Sequence, residues 1–252
     1  MKKTLILMFA LLAMQWQCRT MAGNIGDDLG LKLRFGYNLG GTAPLGMPAS
    51  IRSLDKFCLT PSFMAGGDAW MPIKNNFGVM AGFRVENKAL NVEITTKMYH
   101  MEVKKGDSML DGMYTGRVRQ RSREWMITIP VEATYSIGEK VLLKAGPYMS
   151  VLLDKSFEGY VYDGYLRQSD PTGPKVTMGS KEDERATYDF SDDMRSLQFG
   201  IAAGVDWQFS HRFGVSADLN WGLNGIFKKD FKTVEQTLYP IYGTIGVFYR
   251  IK

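Results

Sequence analysis

Residues 197–209 read LQFGIAAGVDWQF. The odd positions, Leu197, Phe199, Ile201, Ala203, Val205, Trp207 and Phe209, are all apolar. The even positions, Gln198, Gly200, Ala202, Gly204, Asp206 and Gln208, are small or polar. Successive side chains of a strand point to opposite faces, so this segment forms a strand with one apolar and one polar side. Residues 213–223 repeat the pattern, with Phe213, Val215, Ala217, Leu219, Trp221 and Leu223 against Gly214, Ser216, Asp218, Asn220 and Gly222. Residues 125–137 and 29–39 do so again.

Counted along the chain, such segments predict eight strands, near residues 29–40, 58–70, 77–88, 124–136, 141–155, 195–209, 213–226 and 238–251. Each has at least the length a tilted strand needs to cross a bilayer, about 9–11 residues. Eight is also the smallest even number of strands that closes a membrane barrel. The predicted connections alternate long and short. Residues 72–76, 138–140 and 210–212 are short; residues 41–57, 89–123, 156–194 and 227–237 are long. Short turns at one end and long loops at the other are the build of bacterial outer-membrane barrels.

A soluble lipocalin-like barrel also alternates, with its apolar face inside. The composition of the faces separates the two. The non-apolar face carries many glycines with Lys32, Arg34, Arg84, Glu132, Lys144, Asp206, Asp218 and Arg250. Small residues and opposite charges fill the narrow interior of an eight-stranded barrel, while the aliphatic and aromatic face suits lipid. Trp70, Phe77, Tyr135, Trp207, Phe209 and Phe213 fall beside the short turns. Trp125, Phe157, Tyr160, Trp221 and Phe227 fall near the other strand ends. These are the expected interface girdles. The fold class is therefore all-β: an eight-stranded antiparallel up-and-down transmembrane β-barrel with short periplasmic turns and long extracellular loops.

The first 22 residues read as a cleaved Sec-type signal peptide, and residues 23–252 as the barrel domain. Lys2 and Lys3 precede an apolar core, residues 4–14, and Thr20-Met21-Ala22 offers a cleavage site. Cleavage removes Lys2, Lys3 and Arg19 and no acidic residue, so the formal net charge falls from +5 to about +2. That excludes a general nucleic-acid binder. Cys18 leaves with the signal and Cys58 stays alone, which excludes an intrachain disulfide and a cysteine metal site.

The strands MITIPVEATYSI (126–137), LLKAGPYMSVLL (142–153), LQFGIAAGVDWQF (197–209), DLNWGLNGIF (218–227) and IGVFYRIK (245–252) resemble those of the Bacteroidetes outer-membrane β-barrel proteins labelled PorT-like. The Ile-Pro pair and the Ala-Gly-Pro-Tyr run carry most of the likeness, which is weaker before Phe77. The resemblance implies an eight-stranded barrel with a periplasmic N-terminus and no shared catalytic motif. It also raises an accessory role in secretion or envelope biogenesis. The chain ends Tyr249-Arg250-Ile251-Lys252 rather than on an aromatic residue.

Residues 116–125, GRVRQRSREW, set Arg117, Arg119, Arg121 and Arg123 on one side of an extended strand. Two readings stand. The arginines contact outer-leaflet lipid phosphate, including lipopolysaccharide, through their planar forks. Alternatively, residues 90–103 and 113–123 form a protruding hairpin, and the arginines pair with Glu93, Glu102 or solvent. His100, with Tyr99 and Ser108 near it, and the Ser210-His211 pair give no dyad geometry, so no enzyme is expected. Glu182, Asp183, Glu184, Asp189, Asp192 and Asp193 have no calcium-loop spacing and are interspersed with basic residues. No cofactor or metal is expected. The reading is a monomeric structural, adhesive or binding protein without an open pore. Its partners are outer-membrane lipid and a periplasmic or surface protein; a narrow channel and a lipid-modifying enzyme are the alternatives.

Overall fold

The computed structural model describes residues 29–44, 46, 48–231, 233–234 and 236–251. The signal peptide expected at residues 1–22 lies outside them. Among the described residues eleven strands are formed: β1 (Gly30–Pro44), β2 (Ile51–Leu59), β3 (Phe63–Lys74), β4 (Phe77–Lys105), β5 (Ser108–Ile137), β6 (Val141–Gln168), β7 (Lys175–Met178), β8 (Ala186–Asp189), β9 (Leu197–Gln208), β10 (Phe213–Gly222) and β11 (Leu238–Arg250). Eight of them close an antiparallel ring in the order β1-β3-β4-β5-β6-β9-β10-β11, with β11 returning to β1. β2 pairs the part of β4 above β3, so β2 and β3 are two halves of one strand. The break, Thr60-Pro61-Ser62, contains a proline that has no N–H to give a ladder.

The sequence pattern appears directly as burial. Along β10 every even residue points inward and is buried, and every odd one is exposed. Leu33, Phe35, Phe83, Val131, Phe199, Ile201, Leu219 and Val247 form an outward aliphatic and aromatic belt. Only lipid makes such a belt favourable over a whole ring. Short turns close one end. Asn75 (φ 54°) and Gly138 (φ 63°) take the left-handed conformation there that tight hairpins need.

Inside the ring, charge fills the space. Arg34 holds Asp68 and Asp206 and reaches Asp218 at 3.4 Å. Lys144 bridges Asp206 (2.8 Å) and Asp218 (2.6 Å), and Lys32 lies 3.1 Å from Asp206. Arg84 sits 3.6 Å from both Asp68 and Glu132. Lys88 pairs Glu86 at 2.9 Å, and the Gln198 amide donates to Glu124. An unpaired charge here would carry a large desolvation cost, so the two signs are interleaved.

The long connections differ from the sequence expectation. Residues 89–123 are strand rather than loop, in keeping with the protruding-hairpin reading: β4 and β5 continue as a paired hairpin to Lys105 and Ser108, where Gly106 (φ 59°) makes the turn. β1 continues to Pro44, and β6 continues to Gln168. β4, β5 and β6 are 29, 30 and 28 residues long, more than twice what the bilayer requires.

The polarity of these strands inverts along their length. In β5, Trp125, Ile127, Ile129 and Val131 face out, while Glu124, Thr128 and Glu132 face in. Higher up, the arginines lie on the outward side, and Val118, Tyr114 and Leu110 are buried inside. Lipid rewards an apolar exterior and water a polar one, so the inversion at Trp125 marks the membrane surface. The inward side chains of this raised sheet form a second core of Met101, Val103, Tyr114, Val118, Phe157, Val161, Leu166, Tyr188, Phe190 and Phe227. β7 and β8 pair with β6, and β8 also bridges to Lys104 of β4. Burying each large side chain of this core contributes roughly 1.5–3 kcal/mol. The raised unit therefore holds its shape above the bilayer.

Candidate functional site

The arginine stripe lies on the outer face of the raised sheet, flanked by β4 and β6. Arg117, Arg119, Arg121 and Arg123 stand opposite Thr95, Glu93, Asn91 and Ala89 of β4. On β6 they stand opposite Tyr162, Tyr160, Glu158 and Ser156. A β6 bulge by Trp125 moves the register from Asp154 to Leu152, and above it even-numbered β6 residues share the arginines' face.

The four arginines are not equivalent. Arg117 lies 3.7 Å from the Asp163 carboxylate. Arg119 donates from Nη1 to the Tyr160 hydroxyl at 3.2 Å. Arg185 stacks over Tyr160 at 4.6 Å and over Tyr162 at 5.8 Å, held by hydrogen bonds from its guanidinium to the Ser180 carbonyl. Tyr162 donates to Glu93, which Lys56 approaches to 3.5 Å. That hydrogen bond lowers the Glu93 carboxyl below its ordinary range. Burial, with Glu93 as hydrogen-bond acceptor, pushes the Tyr162 phenol up to about 12. Asp55 of β2 accepts from Ser53 and Thr95 at 2.6 Å each, which ties β2 to β4 and lowers its carboxyl too.

Arg121 and Arg123 are exposed and make no hydrogen bond or ion pair among the described residues. With a rise of about 3.4 Å per residue and a tilt of about 35–45°, Arg123 and Arg121 stand about 5 and 10 Å above Trp125; Arg117 stands about 20 Å above it. Arg119 and Arg121 also border a cleft of about 890 Å³ that mixes Lys104 and Lys228 with Glu102, Glu158, Asp189 and Asp230.

Other residues singled out in the sequence fall as follows. Phe77, Trp125, Tyr135, Trp207, Phe209, Phe213 and Trp221 are exposed on the outer face. Phe77 packs on Tyr135 with centroids 4.9 Å apart, and Phe213 on Tyr249 at 5.1 Å. Trp70 differs. It shares the even parity of the buried Met64 and Asp68, and its indole N–H donates to the Thr134 hydroxyl at 3.0 Å. Its ring therefore caps the lumen instead of meeting lipid. His100 pairs with Asp111 across the hairpin at 3.2 Å. Among the described residues, no group of His, Cys, Asp or Glu has the arrangement to hold a metal. Cys58 is free and exposed. The Tyr160–Tyr162–Arg185 stack was not legible in sequence, because Arg185 comes from a distant connection.

No curated protein matches the chain. Among solved structures it is similar to Ail, the attachment invasion locus protein of Yersinia pestis, in complex with the heparin analogue sucrose octasulfate. The identity is 12%, covering 88% of this chain and 99% of that chain, with a TM-score of 0.38. It is also similar to Neisserial surface protein A, at 10% identity, 88% and 96% coverage and a TM-score of 0.32. The family model described as outer membrane protein beta-barrel domain matches residues 17–228. The chain thus belongs to the outer membrane protein beta-barrel domain family, a family of the bacterial outer membrane.

Proposed function

We propose that this protein is a monomeric outer-membrane binding protein whose barrel is an anchor rather than a conduit. Residues 1–22 serve as its export signal. One observation carries the reading: the lumen is crossed by buried ion pairs centred on Arg34, Asp206 and Lys144, while the strands that outrun the bilayer build a packed unit of their own. A chain under selection only to span the membrane has no need of that second core. Function then resides in what the raised sheet presents.

The lower half of the stripe faces lipid phosphate in this reading. Arg121 and Arg123 stand at headgroup height with their forks uncommitted, and a guanidinium grips phosphate through two parallel hydrogen bonds. Arg117 and Arg119 act as braces between strands, because Asp163 and Tyr160 already engage them. The test is lipopolysaccharide retained by protein purified from outer membranes. Arg121→Gln with Arg123→Gln is expected to lower it several-fold, and Arg117→Gln with Arg119→Gln to leave it near wild type. Equal retention in both pairs would refute the lipid assignment.

A second reading rests on the likeness to PorT-like barrels of Bacteroidetes in the strands quoted above. It is an accessory role in secretion or envelope biogenesis. Crosslinking in intact cells followed by purification tests it: a stoichiometric periplasmic or surface partner supports the role, and recovery of the barrel alone opposes it.

A further inference from the structure

The barrel wall is not continuous at its outer rim. β1 is bonded to β3 up to the Tyr37–Phe63 rung, and the Asn38 N–H still donates to the Ser62 carbonyl. Above that point, among the described residues, β1 is bonded to β11 alone and β2 to β4 alone. Two strand edges face one another there without a ladder. Unpaired edges of this kind are normally covered or closed.

Behind the seam lies a cavity of about 420 Å³, within the ~300–1,000 Å³ range of small-molecule sites. Its lining is almost wholly apolar. Ile51, Leu54 and Phe57 come from β2, and Leu90, Val92 and Ile94 from β4. Bulges at Ile51/Ser53 and Leu54/Lys56 turn those three β2 side chains to the same side at three-residue spacing. Leu54 and Phe57 nevertheless remain 54% and 46% exposed. An apolar lining left this wet is unfavourable unless something apolar covers it.

Two further features define the occupant. Thr42 lines the cavity, and its hydroxyl is buried with no hydrogen-bond partner among the described residues, so a polar group still owed a partner lies in the cavity wall. The foot of the seam is Phe63, which stacks on the lipid-facing Phe35 at 6.1 Å, so the seam begins at the upper edge of the membrane belt. We propose that this cavity binds a single aliphatic chain with its polar end at Thr42, admitted through the seam between β1 and β2. The site is independent of the arginine stripe.

The chain could be that of a free fatty acid or of an outer-leaflet lipid, and photolabelling separates the sources. Mature protein in nanodiscs is irradiated with a diazirine fatty acid added free, or with a diazirine phosphatidylethanolamine built into the disc, and adducts are mapped by mass spectrometry. Adducts at residues 51–57 and 90–94 from the free acid alone assign a free amphiphile. The same adducts from both probes assign lipid chains entering sideways. Ile94→Trp, which fills the space, and Leu54→Asp, at an exposed position that folding tolerates, are each expected to lower these adducts at least tenfold. Adducts at Phe35, Phe83 and Ile201 should persist in both variants and report an intact barrel. Adducts confined to that belt in wild-type protein, from either probe, would overturn the proposal. So would cavity adducts that survive both substitutions.

Discussion

Tyr162 of β6 donates a hydrogen bond to Glu93 of β4 across the outer face of β5, which lies between them. The bond spans the strand that carries Arg117 and Arg119, and it joins two strands that are not neighbours. It clamps the raised sheet at the height of its aromatic stack.

The clamp should depend on pH at its acid end. Glu93 has a lowered native carboxyl pKa. Its contribution is therefore fully present above the ordinary carboxylate value, about 4.3, and is lost as pH falls through the lowered native value. Tyr162, raised to about 12, stays a donor throughout the neutral range. Amide-exchange protection, taken relative to the intrinsic rate at each pH, should fall in residues 90–96 and 158–164 below about pH 4, while protection in residues 127–135 is unchanged. Tyr162→Phe should produce the same loss of protection at pH 7, equivalent to about 1 kcal/mol.

The second core should be separable from the barrel. Phe157 packs edge-on against Phe227 at 4.9 Å and lies beside Tyr188 and Phe190. Phe157→Ala should cost the raised unit about 3–5 kcal/mol. Protease nicking near residues 100–112 is the expected readout, with heat-modifiable migration of the barrel retained. Loss of the heat shift would mean that the two parts fold as one.

Inside the lumen, removal of one partner should matter more than removal of a pair. Arg34→Met takes one cation from a cluster in which Lys32, Lys144 and Arg84 must then offset Asp68, Asp206, Asp218 and Glu132, an expected loss of about 3–5 kcal/mol in urea unfolding of refolded protein. Planar-bilayer recordings of the wild type should stay near background. Stepwise openings of nanosiemens size would contradict a closed lumen.

Close packing also limits the lumen glycines. A Cβ on Gly204 would fall 2.1 Å from the Asp218 carboxylate and 2.7 Å from the Lys144 side chain. Gly204→Val is expected to abolish the heat shift, whereas Gly138→Asn, in a turn that tolerates left-handed Asn, should leave it.

The membrane part of the fold was legible because one rule governs it. Lipid outside and charge inside give Leu197 to Phe209 an unbroken period of two. The raised part was not legible for two physical reasons. Its polarity is reversed, so the extended Arg117–Arg123 stripe fitted a lipid-phosphate contact and the wet face of a protruding hairpin equally well. Its parity also slips: Met98 takes φ 56°, and the β4–β5 register shifts between Thr96 and Tyr99. Above that bulge odd residues such as Met101 and Val103 point inward, where even residues did below. The arginines could be found in sequence; their division into braces and free forks could not, because Asp163 and Tyr160 reach them only through the β6 register.

Cysteine accessibility on intact cells bears most heavily on the polarity inversion at Trp125. In a Cys58→Ser background, single substitutions Asp107→Cys, Arg117→Cys, Ile129→Cys and Glu139→Cys would be treated with a membrane-impermeant maleimide. Positions 107 and 117 should label on whole cells, position 129 should stay unlabelled before and after lysis, and position 139 should label only after lysis. Labelling at 129 in intact membranes, or protection of 107 until lysis, would contradict the placement of these strands.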